Sequence, residues 1–251
     1  MQASKARCEI MTTINCKNMP FDELNRLVRT APTREIAIDG ALGQRYIGCG
    51  LSDKSLTITG TPGNALGAYL GGAEITVFGN AQDALGDTMN AGRITVFGRC
   101  GDTVGYAMRG GEILIEGDAG FRAGIHMKEY GEQVPEIVIG GRAGDFLGEY
   151  QAGGVIVVLG LGVRDECPVG AYCATGQYGG KIYIRSSSAP TALPPQTEVT
   201  KNADITEILP LIRDYSAAFG ANYDEIASGE FVLLTPSTSN IYKRLYCNRN
   251  I

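Results

Sequence analysis

Between Thr61 and Gly117 the chain reads TPGNALGAYLGGAEITVFG (61–79), NAQDALGDTMNAGRITVFG (80–98) and RCGDTVGYAMRGGEILIEG (99–117), three consecutive blocks of 19 residues. Each block carries a glycine at its seventh place (Gly67, Gly86, Gly105), a turn of small residues, a short alternating run and a closing glycine (Gly79, Gly98, Gly117). Self-similarity at such a period marks an array in which one small unit is stacked on the next. Aligned on its closing residues, the register extends to Gly40, Gly60, Gly79, Gly98, Gly117, Gly141, Gly160 and, in degenerate form, Ser186, at spacings of 20, 19, 19, 19, 24, 19 and 26 residues. Before each closing residue stand two apolar residues two apart: Ile36/Ile38, Leu56/Ile58, Ile75/Val77, Ile94/Val96, Ile113/Ile115, Ile137/Ile139, Ile156/Val158 and Ile182/Ile184.

Residues two apart in a strand share a face, so each pair points inward together. A βαβ unit takes about 30 residues or more, too long for this period. One strand per repeat, always of the same polarity, does not make hairpins either. The expected fold is therefore an all-β solenoid: a single-stranded parallel β-helix of about 7–8 coils, with strands stacked at about 4.8 Å. Its corners fall at Gly67, Gly86, Gly105, Gly124 and Gly148, with Gly48 ahead of them, where only glycine takes positive φ without penalty. Asn64, Asp83, Asp102 and Asp145 stand three residues before four of these glycines and are expected to hydrogen-bond their own turns. The rival reading, a calcium-binding array, lacks its GGxGxDxUx nonapeptide.

The segments outside the register differ in kind. Residues 1–34 are expected to form an N-terminal cap, with Phe21, Leu24, Leu27 and Val28 on one face of a helix from Pro20 to Thr30. Residues 35–186 hold the repeat, and 187–251 a linker and a small helical C-terminal extension. In the extension Asp204 and Glu207 have capping-box spacing, and Pro210 kinks or restarts the helix that follows.

Two repeats break the period, and loops that interrupt a regular scaffold are where binding concentrates. The first insertion, IHMKEYGEQVPE (125–136), holds the only histidine, and His126, Lys128, Glu129 and Tyr130 are the candidate interface residues. The second lies around GVRDECPVGAYCATG (162–176). His126 with Glu129 has the chemistry of an acid/base pair, but the repeat supplies no nucleophile and no carboxylate in a matching coil. No catalytic, cofactor-binding or metal-binding residue is expected in this chain, and a stand-alone carbohydrate-active enzyme is the alternative of another class.

Net charge is -5, with 22 Lys and Arg against 27 Asp and Glu, so no basic surface for nucleic acid or polybasic membrane patch is indicated. The longest apolar run, Val155 to Val163, falls far short of a bilayer span. Seven cysteines without CxxC spacing suit reduced thiols and a cytoplasmic location. Cys167 and Cys173 are candidates for a redox switch or half of a metal site; the plainer reading is a loop residue and a coil filler. Strings such as GALGQRYIGCG lack the long helix that a nucleotide fingerprint needs.

Several long segments carry a family resemblance: GQRYIG (43–48), GNAQDALGDTMNAGRITVFG (79–98), GDTVGYAMRGGEILIEGD (101–118), GIHMKEYG (124–131) and GGRAGDFLGEYQAGGVIVVLGLG (140–162). They resemble the glycine-rich (GXGXG) C-terminal domain of the glutamate synthase large subunit, here in stand-alone form, and the ending YKRLY resembles such separate versions. The resemblance implies a right-handed β-helix and a non-catalytic scaffold role in a multi-subunit enzyme making glutamate from glutamine and 2-oxoglutarate. It implies as partners a glutamine amidotransferase subunit and an FMN-binding synthase subunit. FMN and iron–sulphur clusters belong, on this reading, to the partner subunits. A homo-oligomer is compatible with it. The chain is also similar to the corresponding subunit of formylmethanofuran dehydrogenases and to glycine-rich subunits of glutamine-dependent methylamine–glutamate systems.

Overall fold

A computed structural model of the protein describes residues 11–164 and 166–237; Cys8, Cys247 and the YKRLY run at 242–246 lie outside them. In chain order the elements are β1 (Thr12–Asn15), α1 (Phe21–Thr30), β2 (Glu35–Leu42), β3 (Ser55–Thr61), β4 (Gly71–Phe78), β5 (Ala91–Val96), β6 (Glu112–Ile115) and β7 (Glu136–Ile139). Then come β8 (Ala152–Val158), β9 (Gly179–Arg185), β10 (Thr197–Lys201), α2 (Leu209–Phe219), α3 (Tyr223–Ala227) and β11 (Phe231–Pro236).

The apolar pairs meet column on column. Ile36, Leu56, Ile75, Ile94, Ile113, Ile137, Ile156 and Ile182 are partners in successive parallel strands and all are buried. The turn of each repeat supplies the facing residues, Ile47, Leu66, Leu85, Val104, Ala123, Leu147 and Cys173, so the core lies between the sheet and a stack of turns.

The expected single-stranded β-helix is corrected by the sheet itself. The strands form one 11-stranded, mostly parallel sheet in the order β1-β2-β3-β4-β5-β6-β7-β8-β9-β11-β10, an open α/β-like arrangement. Chain outside the repeat extends it at both ends: β1 pairs parallel with β2, and β11 enters antiparallel between β9 and β10. The C-terminal segment carries helices α2 and α3 and packs back onto the sheet. Leu211, Ile212 and Tyr215 of α2 cover Leu114, Val138, Val157 and Tyr183 on the outer face of the sheet. The physical reason is a change in the residue between the inward pair. It is Thr57, Thr76 and Thr95 in β3–β5 but Leu114, Val138, Val157 and Tyr183 in β6–β9. Those later strands are apolar on both faces and need a second cover. Tyr215 Oη donates to the Glu116 carbonyl at 3.1 Å. Pro210 sits in the first turn of α2, where its missing N–H costs nothing, so it starts the helix instead of kinking it.

The turns stack by a hydrogen-bond ladder of fixed direction. Two N–H groups of each turn donate forward to the next: Ala65 to Asp83 O and Tyr69 to Asp87 O, Arg122 to Asp145 O and His126 to Glu149 O. The residue midway between them donates backward, as Gly67 does to Ile47 O and Gly124 to Val104 O. All three have positive φ, for example Arg122 59°, Gly124 71° and His126 56°. At Gly67 a Cβ would come within 2.6 Å of Ile94 Cδ1 in β5, one strand beyond the β4 that follows the turn. The seventh member of this column is Ala174 (φ 61°), where the strand beyond β9 is antiparallel β11 and brings no isoleucine into that register. The aspartates also act between turns: Asp83, Asp102 and Asp145 Oδ1 accept from Asp102, Phe121 and Ala171 N at 3.0, 2.9 and 2.8 Å, each in the next repeat and not in its own turn.

Helix α1 covers the start of this ladder. Asn25 Nδ2 donates to Arg45 O at 2.8 Å and an Arg29 Nη to Cys49 O at 3.2 Å. In every later repeat the carbonyls at these two positions accept from the preceding turn, for example Asn64 O from Tyr46 and Ala68 O from Gly50. Two side chains four residues apart, and so neighbours on one helix face, thus replace the donors of a missing turn.

Candidate functional site

The outward rim of the turn stack carries aromatic rings, several of them on residues with positive φ, as at Tyr69 (57°), His126 (56°), Phe146 (62°), Tyr150 (54°) and Tyr172 (59°). His126 stacks on Tyr150 (centroids 5.1 Å, planes 13° apart) and meets Tyr106 edge-on at 5.8 Å. Beside this row Phe146 stacks on Tyr172 at 5.0 Å, with the Arg122 guanidinium 4.7 Å above Phe146. Arg122 Nε also pairs with Glu149 at 3.1 Å, which ties the two rows together. His126, Tyr106, Tyr150 and Tyr172 are all solvent-exposed. Large rings with a polar tip at an exposed site are what protein interfaces favour.

The insertion that follows His126 is a wall between two clefts. Tyr130 and Gln133 exchange backbone hydrogen bonds at 3.0 and 3.1 Å across a turn at Gly131 (φ 62°), leaving Tyr130 65% exposed. Lys128 is half-buried and its N–H donates to Met108 O; Glu129 is half-buried against Gly153. The four expected interface residues therefore divide: His126 and Tyr130 face solvent on different parts of the loop, and Lys128 and Glu129 lead inward between them. Glu129 and Val134 line a cleft of about 330 Å³ with Lys181, Glu207 and Pro236. Gln133 and Val134 line another of about 360 Å³ with Arg93, Glu112, Glu136 and Asp214.

This second cleft holds a charge cluster not foreseen in the sequence. Glu74, Arg93, Glu112 and Glu136 are register partners on successive strands, each just before the inward Ile. That column was present in the repeats as EITV, RITV, EILI and EIVI. Arg93 Nη2 bonds Asp214 of α2 at 2.8 Å, and its Nε faces Glu112 Oε2 as an ion pair without the alignment of a hydrogen bond; Glu112 Oε1 has no hydrogen-bond partner among the described residues. Glu112 is 6% exposed, and burial pushes its carboxyl up to about 7 against the pull of Arg93. Glu136 is raised by the same cause, reinforced by the Asp214 charge. At neutral pH the cluster can hold or release a proton.

The turn glycines Gly67, Gly86, Gly105, Gly124 and Gly148 have φ between 65° and 71°. Cys173 is fully buried in the core and Cys167 packs against it; burial raises both thiols, Cys173 further through its neighbour Cys167. Among the described residues no group of three or more His, Cys, Asp or Glu is placed to hold a metal ion, and no helix is long and apolar enough to cross a membrane.

Comparison with known proteins adds three findings. The family model described as GXGXG motif matches residues 7–228. An uncharacterized protein of Methanocaldococcus jannaschii is 40% identical over 248 residues, spanning 93% of this chain and 95% of that protein. Among solved structures, a chain of the formyltransferase/hydrolase complex (FhcABCD) from Methylorubrum extorquens, determined with methylofuran, has the same fold. The TM-score is 0.60 at 20% identity, covering 90% of this chain and 91% of that one.

Proposed function

This chain belongs to the GXGXG motif family, and on that premise we propose that it is a non-catalytic structural subunit of a multi-subunit enzyme complex of the formyltransferase/hydrolase kind. The observation that carries the reading is the end-to-end likeness to one chain of such a complex, with little of either chain left over. A shared local motif would not extend over both chains. In this reading the exposed rows Tyr106–His126–Tyr150 and Phe146–Tyr172, with Arg122 and Glu149, are the surface on which the catalytic subunits dock. The glutamate synthase scaffold is the second reading. It rests on the segments GIHMKEYG and GDFLGEY and brings an amidotransferase and an FMN- and iron–sulphur-containing synthase as partners.

Co-expression with formyltransferase and hydrolase subunits from the same genome tests it. The expected result is one assembly of fixed stoichiometry that Tyr150→Asp dissociates while the chain stays folded. Elution of this chain by itself counts against the proposal, and association with an amidotransferase and synthase instead favours the second reading.

A further inference from the structure

The ladder that α1 closes at the start of the turn stack is left open at its end. In each turn from the second onward the forward donors find acceptors, down to Phe146 N to Ala171 O at 2.9 Å and Tyr150 N to Thr175 O at 2.8 Å. The next donors in the series are the N–H groups of Tyr172 (φ 59°) and Gly176 (φ 67°). Neither has an acceptor among the described residues. The chain does continue past this point: Ala189 and Leu193 pack against the end of the core, but they bring no carbonyl to these two groups. Tyr172 is 51% exposed and its ring continues the stack on Phe146, so the rim is accessible from solvent.

We propose that the Tyr172–Gly176 rim is a docking edge for a partner subunit, and that the partner covers it with a helix bearing two acceptor side chains, Asp, Glu, Asn or Gln, four residues apart. The chemistry follows from α1, which solves the complementary problem at the other end of the stack. There two carbonyls, on Arg45 and Cys49, are met by donor side chains four residues apart, Asn25 and Arg29. At the far end the backbone groups are donors, so the covering side chains must accept. A partner surface that excluded water here without supplying acceptors would leave two backbone N–H groups unpaired, at the cost of a lost hydrogen bond each. The rim adjoins the aromatic face already described, since the Tyr150 ring lies over Gly176, where a Cβ would come within 2.5 Å of it. The inference therefore rests on the subunit reading and specifies the chemistry of one contact.

Two measurements on the full chain decide it. In amide hydrogen exchange, Tyr172 and Gly176 should exchange at least a hundred-fold faster than Phe146 and Tyr150; equal protection would mean that the chain satisfies these groups itself, and would overturn the proposal. The second uses a lactam-stabilised helical peptide with two Asp residues four apart, and a control with Ala at both places. Backbone NMR should show the Asp peptide shifting the Tyr172 and Gly176 amides, with at least ten-fold weaker binding of the control. No shift, shifts centred elsewhere, equal binding of both peptides, or concentration-dependent self-association that protects the same two amides would each sink it. Neither readout depends on which complex the chain joins, so failure of the co-expression experiment is distinguishable from failure here.

Discussion

At Glu112 burial and charge oppose each other, and the outcome can be read from stability against pH. Its carboxyl is raised from 4.5 to about 7 in the folded chain. Below pH 4.5 it is protonated folded and unfolded and contributes no penalty. Above 7 it is ionised in both, and folding carries the whole cost of burying the charge, on the order of 3 kcal/mol. Stability is therefore lost as pH rises between these values. Glu112→Gln should remove that loss, because Arg93 keeps Asp214 as a partner; urea midpoints across pH 4–8 check it. A variant less stable than the parent at pH 8 would mean that the Arg93 pair outweighs desolvation. The turn glycines give a sharper steric prediction. Gly105 has φ 65° and a Cβ there would lie 2.5 Å from Ile137 Cδ1, whereas Gly43 (φ 80°) has open space. Gly105→Val should cost about 3–5 kcal/mol, adding left-handed strain to overpacking, and Gly43→Ala only about 1–2 kcal/mol. Equal losses in denaturant unfolding would show that φ alone sets the cost.

Among the elements, α1 works as a lid for the ladder through two side chains. Asn25→Ala together with Arg29→Ala should lower stability by about 1–3 kcal/mol, because two carbonyls lose their donors while water partly replaces them. No change in thermal unfolding would mean that only Leu24 and Val28 hold the helix. What was legible in the sequence follows the same division between repeated and single features. The Ile and Val columns could be read because every repeat restates them. The strands β1, β10 and β11 occur once each, and β10 offers only one apolar residue, Val199, so no register announced them. The resulting error was to close the repeat on itself as a β-helix and leave the C-terminal segment outside. The change from Thr57, Thr76 and Thr95 to Leu114, Val138 and Val157 was visible and called for a covering element on the outer face. For the aspartate ladder, bonding within a turn and between turns have the same period, so spacing could not separate them. The prominence of His126 was legible as an insertion, and its neighbours Tyr106 and Tyr150 follow from the register. Asp214, 121 residues from Arg93, could come only from the fold.

For the whole molecule, a sheet-and-turn body presents an exposed aromatic rim, and in the proposed function the chemistry belongs to partner chains. Substitutions on the rim should then separate assembly from folding. His126→Asp places a carboxylate between the Tyr106 and Tyr150 rings, and should weaken assembly at least ten-fold while shifting the chain's own unfolding by no more than about 0.5 kcal/mol, as for an ordinary surface change. Loss of folding along with loss of assembly would make the ring stack a structural feature and nothing more. The most direct test of the central claim is the native mass and composition of the tagged chain isolated from its own cells. The expected result is an assembly far above the chain's 26.6 kDa, with formyltransferase and hydrolase chains at fixed stoichiometry and formyl transfer activity in the same peak. A species at the chain's own mass or a simple multiple of it, without other chains, would contradict it.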